Sequence, residues 1–381
     1  MTIKSAPCKK CTTVHKIDRK CRMQTIIEPR RGWFGRLGQA LTSPFQPEDY
    51  LALINPVASA REIRARVTGV HRETGRAVSL TLRPNRLWPG FQAGQHVMLG
   101  IDVNGARQWR CFSLSSAPQS GTLTVTVKCH RAGGVTEHLL ERARPGDVVT
   151  LSEPAGEFLL PARIPDRLLF LTAGSGITPV HSIARYLENT SFDGQVEWLH
   201  FDRRYEDVIL LESLRELGRH SQLNARVVLG HQAPLPGDEQ GRFDAALLAA
   251  LVPDAADRQV YACGPAGFLD AVSEWHRAEG RAPLLHERFQ PLTKNAGNGG
   301  QIRFSGSDLT TEAGGGESLL EAAERSGLNP AHGCRMGICH TCRCPVRGSV
   351  RDLQTGESRT VDNQLVRLCI HAAEGDVEVA L

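Results

Sequence analysis

From Arg61 to about Pro161, apolar and polar positions alternate in short runs rich in β-branched residues. The clearest runs, Ala77-Val78-Ser79-Leu80-Thr81-Leu82 and Thr122-Leu123-Thr124-Val125-Thr126-Val127, predict half-buried strands. Pro89-Gly90, Asn104-Gly105, Gly133-Gly134 and Pro145-Gly146 separate such runs as turns. Short strands at this spacing predict a small antiparallel β-barrel over 61–163. After Asp166 the texture changes. Leu168 to Thr172 predicts a buried strand, Pro179 to Glu188 a helix, and Gln195 to Phe201 another strand. A helix around Leu210 to Leu217, a strand near Ala225 to Leu229, a helix near Ala245 to Leu251 and a strand at Gln259 to Ala262 follow. That succession predicts an α/β domain with a doubly wound parallel sheet over 164–290.

Two stretches break the pattern. Residues 291–300 form a Gly/Asn-containing linker, and 301–381 form a last domain. Residues 1–45 read as an extension that is partly disordered, or that translation from Met23 would shorten, and 46–60 lead into the barrel. Cys8, Cys11, His15 and Cys21 do not follow the spacing of a common zinc module. Arg30-Arg31-Gly32-Trp33-Phe34-Gly35-Arg36-Leu37 mixes basic and bulky apolar residues, as a membrane-surface helix does. A helix packed on the protein itself is the simpler reading of that segment.

Composition narrows the function classes. A formal net charge of +4 over 381 residues gives no argument for nucleic acid. No apolar run reaches the length of a membrane span, and Ala245 to Val252 is only core-sized. The eleven cysteines sit in a large chain with metal-ligand spacing, which points to a reducing cytoplasm rather than to disulfides.

That spacing is Cys334, Cys339, Cys342 and, after a long gap, Cys369: C-x4-C-x2-C followed by a distant C. It is the plant-type arrangement for a [2Fe-2S] cluster, with three thiolates from one loop and one from a remote element. Cys344 falls outside it. Such a cluster carries one electron at a time, so the rest of the chain should supply or consume electrons.

The parallel-sheet domain opens with Ala173-Gly174-Ser175-Gly176-Ile177-Thr178-Pro179 after a buried strand. Glycines there allow close approach of a phosphate to the backbone, and a helix N-terminus favours negative charge. Thr178 is the expected N-cap, with Pro179 in the first turn. Cys263-Gly264-Pro265 ends a later strand, where such sheets form their ligand crevice. After a strand end, Arg203 and Arg204 suit a 2′-phosphate and favour NADPH over NADH, while Asp202 is an alternative ribose ligand. In the barrel, Arg110-Cys111-Phe112-Ser113 supplies a cation, an aromatic face and a hydroxyl. Strand alternation puts Arg110 and Phe112 on one face and Ser113 on the other, unless a local bend gathers them. Gly133-Gly134-Val135-Thr136 precedes a helical stretch and offers a second anion site. Together these segments could hold a flavin, although each alone reads as ordinary strand or turn.

In this order the motifs resemble the ferredoxin–NADP reductase superfamily with a C-terminal plant-type ferredoxin domain, over roughly Arg61 to Leu381. The family's flavin signature Arg-x-Tyr-Ser is matched by Arg110-Cys111-Phe112-Ser113, with Phe112 for the usual tyrosine. His340 stands where many plant-type ferredoxins carry a small residue. Pro47-Glu48-Asp49-Tyr50-Leu51-Ala52-Leu53-Ile54-Asn55-Pro56, Arg61 to Ala65 and the cluster loop resemble bacterial reductases that serve membrane stearoyl-CoA Δ9-desaturases.

The resemblance implies a FAD-binding barrel, an NAD(P) domain and a β-grasp ferredoxin domain, passing electrons from NAD(P)H through FAD and the cluster to an external acceptor. It implies that Arg110 meets FAD phosphate, Ser113 bonds the flavin near its reactive nitrogen, and Thr178 and Cys263 line the nicotinamide site. Glu287-Arg288-Phe289 resembles the family's acidic-aromatic stretch near the flavin. A di-iron desaturase, a Rieske-type oxygenase and another monooxygenase are the competing acceptors. The expected location is cytoplasmic, with peripheral membrane association open. A non-catalytic iron–sulfur sensor or carrier module, with a vestigial flavin domain, is the reading from another class.

Overall fold

The computed structural model describes residues 55–103, 106–129, 135–220, 222–289, 296–332, 337 and 340–381. The expectations for 1–45, for most of the lead-in segment, for Asn104-Gly105, for Gly133-Gly134 and for Cys334 and Cys339 lie outside these residues.

Strands β1 (Ile63–Thr74), β2 (Ala77–Pro84), β3 (His96–Val103), β4 (Ala106–Ser113), β5 (Leu123–Lys128) and β6 (Val148–Leu151) form one antiparallel sheet in the order β4-β3-β6-β1-β2-β5. A bridge between Leu114 and Val125 joins the ends of that order and closes the sheet into a barrel. Helix α1 (Val135–Arg142) packs Val135 and Leu139 on the same core as Leu80, Leu99 and Val125.

The second sheet is the parallel one expected from the alternating pattern. It comprises β7 (Arg167–Ala173), β8 (Gln195–Asp202), β9 (Leu223–Leu229), β10 (Glu239–Gln240), β11 (Gln259–Gly264) and β12 (Leu284–Arg288), ordered β10-β9-β8-β7-β11-β12. Alternate residues of each central strand go to opposite faces. Phe170, Trp198 and Tyr261 meet α2 (Ile177–Asn189) and α3 (Leu211–Leu217). Leu171, Leu199 and Ala262 meet α4 (Ala245–Leu251) and α5 (Ala266–Glu279). Burial on both faces explains why these strands read as continuous apolar runs. The order reverses at β7, so the carboxyl ends of β7, β8 and β11 border the crevice where such sheets bind ligands.

The last sheet contains β13 (Gly300–Phe304), β14 (Leu309–Ala313), β15 (Arg343–Asp352), β16 (Ser358–Arg367) and β17 (His371–Val379), ordered β14-β13-β17-β15-β16. β13 and β17 run parallel, and α6 (Leu319–Arg325) buries Leu319, Leu320, Ala322 and Ala323 in the domain's own core. Ser318 and Glu321 form a reciprocal capping box at its start. This is the β-grasp arrangement. Among the described residues no helix is long and apolar enough to cross a membrane.

Candidate functional site

At the mouth of the parallel sheet, β7 runs into a 3-10 turn over Gly174–Gly176 and then directly into α2. Gly174 sits at φ +54°, with nothing within 4 Å of where a Cβ would lie, so the turn leaves open space beside the backbone. Gly176 is required for a different reason: a Cβ there would come 2.1 Å from the carbonyl oxygen of Cys263. The turn of β7 thereby packs against the end of β11. The N-cap is Gly176, not Thr178. The 3-10 turn brings the helix in early, Ile177 is its first residue, and Thr178 donates its hydroxyl to the Ser175 carbonyl at 3.0 Å. Pro179 still falls where a missing N–H leaves no broken bond.

Cys263 is fully buried, and burial together with the Glu287 carboxylate pushes its thiol well up from the usual value. Such a thiol stays protonated; it can pack against a ligand but is no nucleophile. Glu287 stands beside Cys263 in the β11–β12 register. One Glu287 oxygen lies 3.4 Å from Nδ1 of His96, and the other is buried without a hydrogen-bond partner. His96, on β3, faces Ser113 across the barrel register, and the buried Ser113 hydroxyl has no partner either. A buried hydroxyl without a partner costs about 1–3 kcal/mol, so this position calls for a bound acceptor. The hydroxyl, the His96–Glu287 pair and the Cys263 thiol thus form a chain across the junction of barrel and sheet. Sequence reading missed His96; Gly156 was the available hint only in retrospect, because a Cβ there would come 2.9 Å from the His96 ring.

The remaining flavin candidates lie along β4 and α1. β4 stays in register with β3 through Ser113, so no bend gathers its side chains. Arg110 is exposed and donates to the Trp109 carbonyl at 2.8 Å, Cys111 is half-buried opposite Met98, and Phe112 packs against the barrel core. Val135 is buried at the start of α1, with Thr136 beside Cys129 at 3.8 Å. The Ser113 hydroxyl is the observation that fits a flavin.

Beyond β8, Arg203 and Arg204 are both exposed, with Arg204 reaching Glu206 at 3.2 Å. Asp202 is already engaged within the protein. Its two oxygens accept from the Arg203 N–H at 2.8 Å and from Lys128 of the barrel at 3.1 Å. His231 donates its backbone N–H to the Arg203 carbonyl at 3.0 Å, and Arg242 meets the His231 ring at 3.0 Å. A cationic group therefore collects at the carboxyl ends of β8 and β9. Its members are too far apart in sequence to read as a motif. Gly264 packs tightly on Phe268 and Ala173, Pro265 caps α5, and Phe289 rests on the sheet core.

In the last domain, Cys342 and Cys369 are buried with their sulfurs 3.2 Å apart, beyond the ~2.05 Å of a disulfide. Two adjacent unoxidised thiols suit a shared iron centre. Cys344 points its sulfur to the Ala380 carbonyl at 3.1 Å, which accounts for its place outside the ligand spacing.

Comparisons with known proteins agree with this layout. Protein-family profiles match three segments: an oxidoreductase FAD-binding domain at 70–159, an oxidoreductase NAD-binding domain at 170–274, and a 2Fe-2S iron-sulfur cluster binding domain at 302–374. A Mycobacterium tuberculosis NADPH oxidoreductase is 38% identical, over 97% of this chain and 98% of its own length. The reductase subunit of Pseudomonas aeruginosa glycine betaine monooxygenase is 25% identical, over 76% of this chain and 87% of its own. The solved structure of phthalate dioxygenase reductase superimposes with a TM-score of 0.61 at 21% identity, covering 84% of this chain and 98% of that one.

Proposed function

Because the chain belongs to the NAD(P)H oxidoreductases that join FAD- and NAD-binding domains to a C-terminal [2Fe-2S] domain, we propose that it is an NADPH-dependent reductase for an oxygen-activating partner. The observation that carries this reading is the partnerless Ser113 hydroxyl beside His96, Glu287 and Cys263. When bound, FAD supplies hydride acceptance and one-electron release to a cluster.

The chain's own residues bind and align. The Gly174–Gly176 turn and the N-terminus of α2 hold the dinucleotide pyrophosphate. Arg203, with Arg204, His231 and Arg242 around it, takes the 2′-phosphate, and the engagement of Asp202 by Lys128 removes the group that would favour a ribose hydroxyl. Thr178 and Cys263 border the nicotinamide. Ser113 gives the flavin ring edge a hydrogen bond, Phe112 offers it an aromatic face, and Arg110 with the Gly133 to Thr136 stretch meets its phosphates. Glu287 and Phe289 close the far side, and Cys334, Cys339, Cys342 and Cys369 hold the cluster.

The acceptor we favour is a membrane fatty-acyl (stearoyl-CoA Δ9) desaturase, on the likeness of the lead-in segment and cluster loop. An oxygenase component is the second reading, favoured by the likeness to a monooxygenase reductase subunit. The test is NADPH-driven turnover by the loaded protein with a vesicle-embedded desaturase and with a Rieske-type oxygenase. Formation of oleoyl-CoA supports the first reading; product from the oxygenase alone replaces it with the second.

A further inference from the structure

The outward face at the cluster end of the β15–β16 hairpin departs from the rest of its domain. Cys344 and Val346 on β15, and Val366 on β16, point into the core. By alternation Arg343, Pro345, Leu365 and Arg367 share the opposite face. In the register Arg343 stands directly opposite Arg367, and Pro345 opposite Leu365. Arg347 follows on the same face, exposed and joined to Asp362 at 2.8 Å. This patch adjoins the cluster ligands, since Arg343 follows Cys342 and Arg367 precedes Cys369 by two positions.

Two features of the patch work against the stability of the fold. Like charges directly opposite one another on a sheet are destabilising, and Arg343 stands directly opposite Arg367. The Arg367 head instead donates to the Gly337 carbonyl at 2.9 Å, with Asp352 no closer than 3.9 Å. β16 is an edge strand, and arginines protect an edge from unwanted pairing. A leucine 62% exposed on that same edge does the reverse. Around β14 and α6 the surface carries Asp308, Glu312, Glu317, Glu321 and Glu324, with Arg303 and Arg325 paired to Asp308 and Glu317, and on β17 Glu378 stands opposite Arg347 in the register. Arg351 and Arg359 lie further along the same hairpin, so what sets its cluster end apart is the exposed leucine flanked by arginines. Local rules broken in one place without a structural gain mark a functional surface.

We propose that this face docks the terminal electron acceptor, and that the acceptor presents carboxylates around an apolar spot that receives Leu365. The inference rests on the reading that electrons leave through the cluster. Transfer weakens steeply with distance, so the partner must seat on the cluster's own rim. Arg343, Arg347 and Arg367 steer an acidic face into place, and Leu365 supplies the desolvated anchor.

The experiment uses the full chain, loaded with FAD and cluster, and two probes of opposite charge: cytochrome b5, acidic at its haem edge, and cytochrome c, basic there. Calorimetric binding of the oxidised proteins is read alongside NADPH-driven reduction of each probe. Cytochrome b5 is expected to bind with an affinity that falls as salt rises, and cytochrome c to bind far more weakly. R347E and L365A each weaken cytochrome b5 binding about tenfold, with reduction of ferricyanide and the cluster's EPR spectrum unchanged. Equal binding of the two cytochromes, or cytochrome b5 binding indifferent to both substitutions, overturns the docking surface. Absence of ferricyanide reduction by the unaltered protein would instead strike the reductase reading beneath it.

Discussion

At the junction of barrel and parallel sheet, the groups that face the proposed flavin come from four strands of two separate cores: His96 on β3, Ser113 on β4, Cys263 on β11 and Glu287 on β12. Several of their polar atoms are buried and partnerless. In the ferredoxin domain three of the four candidate ligands instead share one loop, and the fourth, Cys369, is already held with its sulfur 3.2 Å from that of Cys342. The first arrangement carries a desolvation cost until its ligand binds; the second concentrates its chemistry in a few covalent ligands. Loss of one group should therefore be graded at the junction and complete at the cluster.

The sharpest break is Cys342→Ser. Delivery of electrons to an external protein acceptor should vanish, while NADPH still bleaches the flavin at close to its original rate, as rapid-mixing absorbance records. Loss of both would make the cluster domain a structural prop. Next comes Ser113→Ala, which should slow flavin reduction about 100-fold. Its hydroxyl has no protein partner, so the melting temperature should hold steady, and a large fall would mark Ser113 as a packing residue. Arg203→Ala should lower kcat/KM for NADPH about tenfold and leave NADH nearly untouched, the loss of one charged hydrogen bond.

The last effect is on acid stability rather than on turnover. His181 bridges the two domains, bonded to the Ser115 carbonyl at 2.6 Å and the Ser213 hydroxyl at 2.6 Å, and His200 is buried beside Thr172. Burial pushes each down to about 4 from an ordinary 6.5. The neutral ring carries the stability, which is complete above the unfolded-state value and is lost as pH falls from 6.5 toward 4. Each histidine should then remove about 1.4 kcal/mol per pH unit, visible as a midpoint shift in urea titrations. His181→Gln should flatten that slope.

The same contrast explains what the sequence could reveal. The buried strand, glycine turn and helix from Leu168 to Glu188 lie in one window, and their types were legible because both faces of β7 are apolar. The cap was misassigned to Thr178 because a 3-10 turn at Gly174–Gly176 is set by packing against Cys263, which is remote in sequence. Asp202 looked available to a ribose until its partner Lys128 emerged from another domain. His96 carried no signal at all, since a lone histidine in an apolar strand resembles any core residue. Cluster spacing was legible for the opposite reason: three of its four ligand candidates crowd one loop.

The most direct test is anaerobic rapid mixing of the loaded protein with NADPH, following flavin and cluster absorbance separately. Electron flow from NADPH through the flavin to the cluster requires that the flavin band bleach first and the cluster band follow at a rate independent of NADPH concentration. Cluster reduction at full rate in protein stripped of FAD would contradict it.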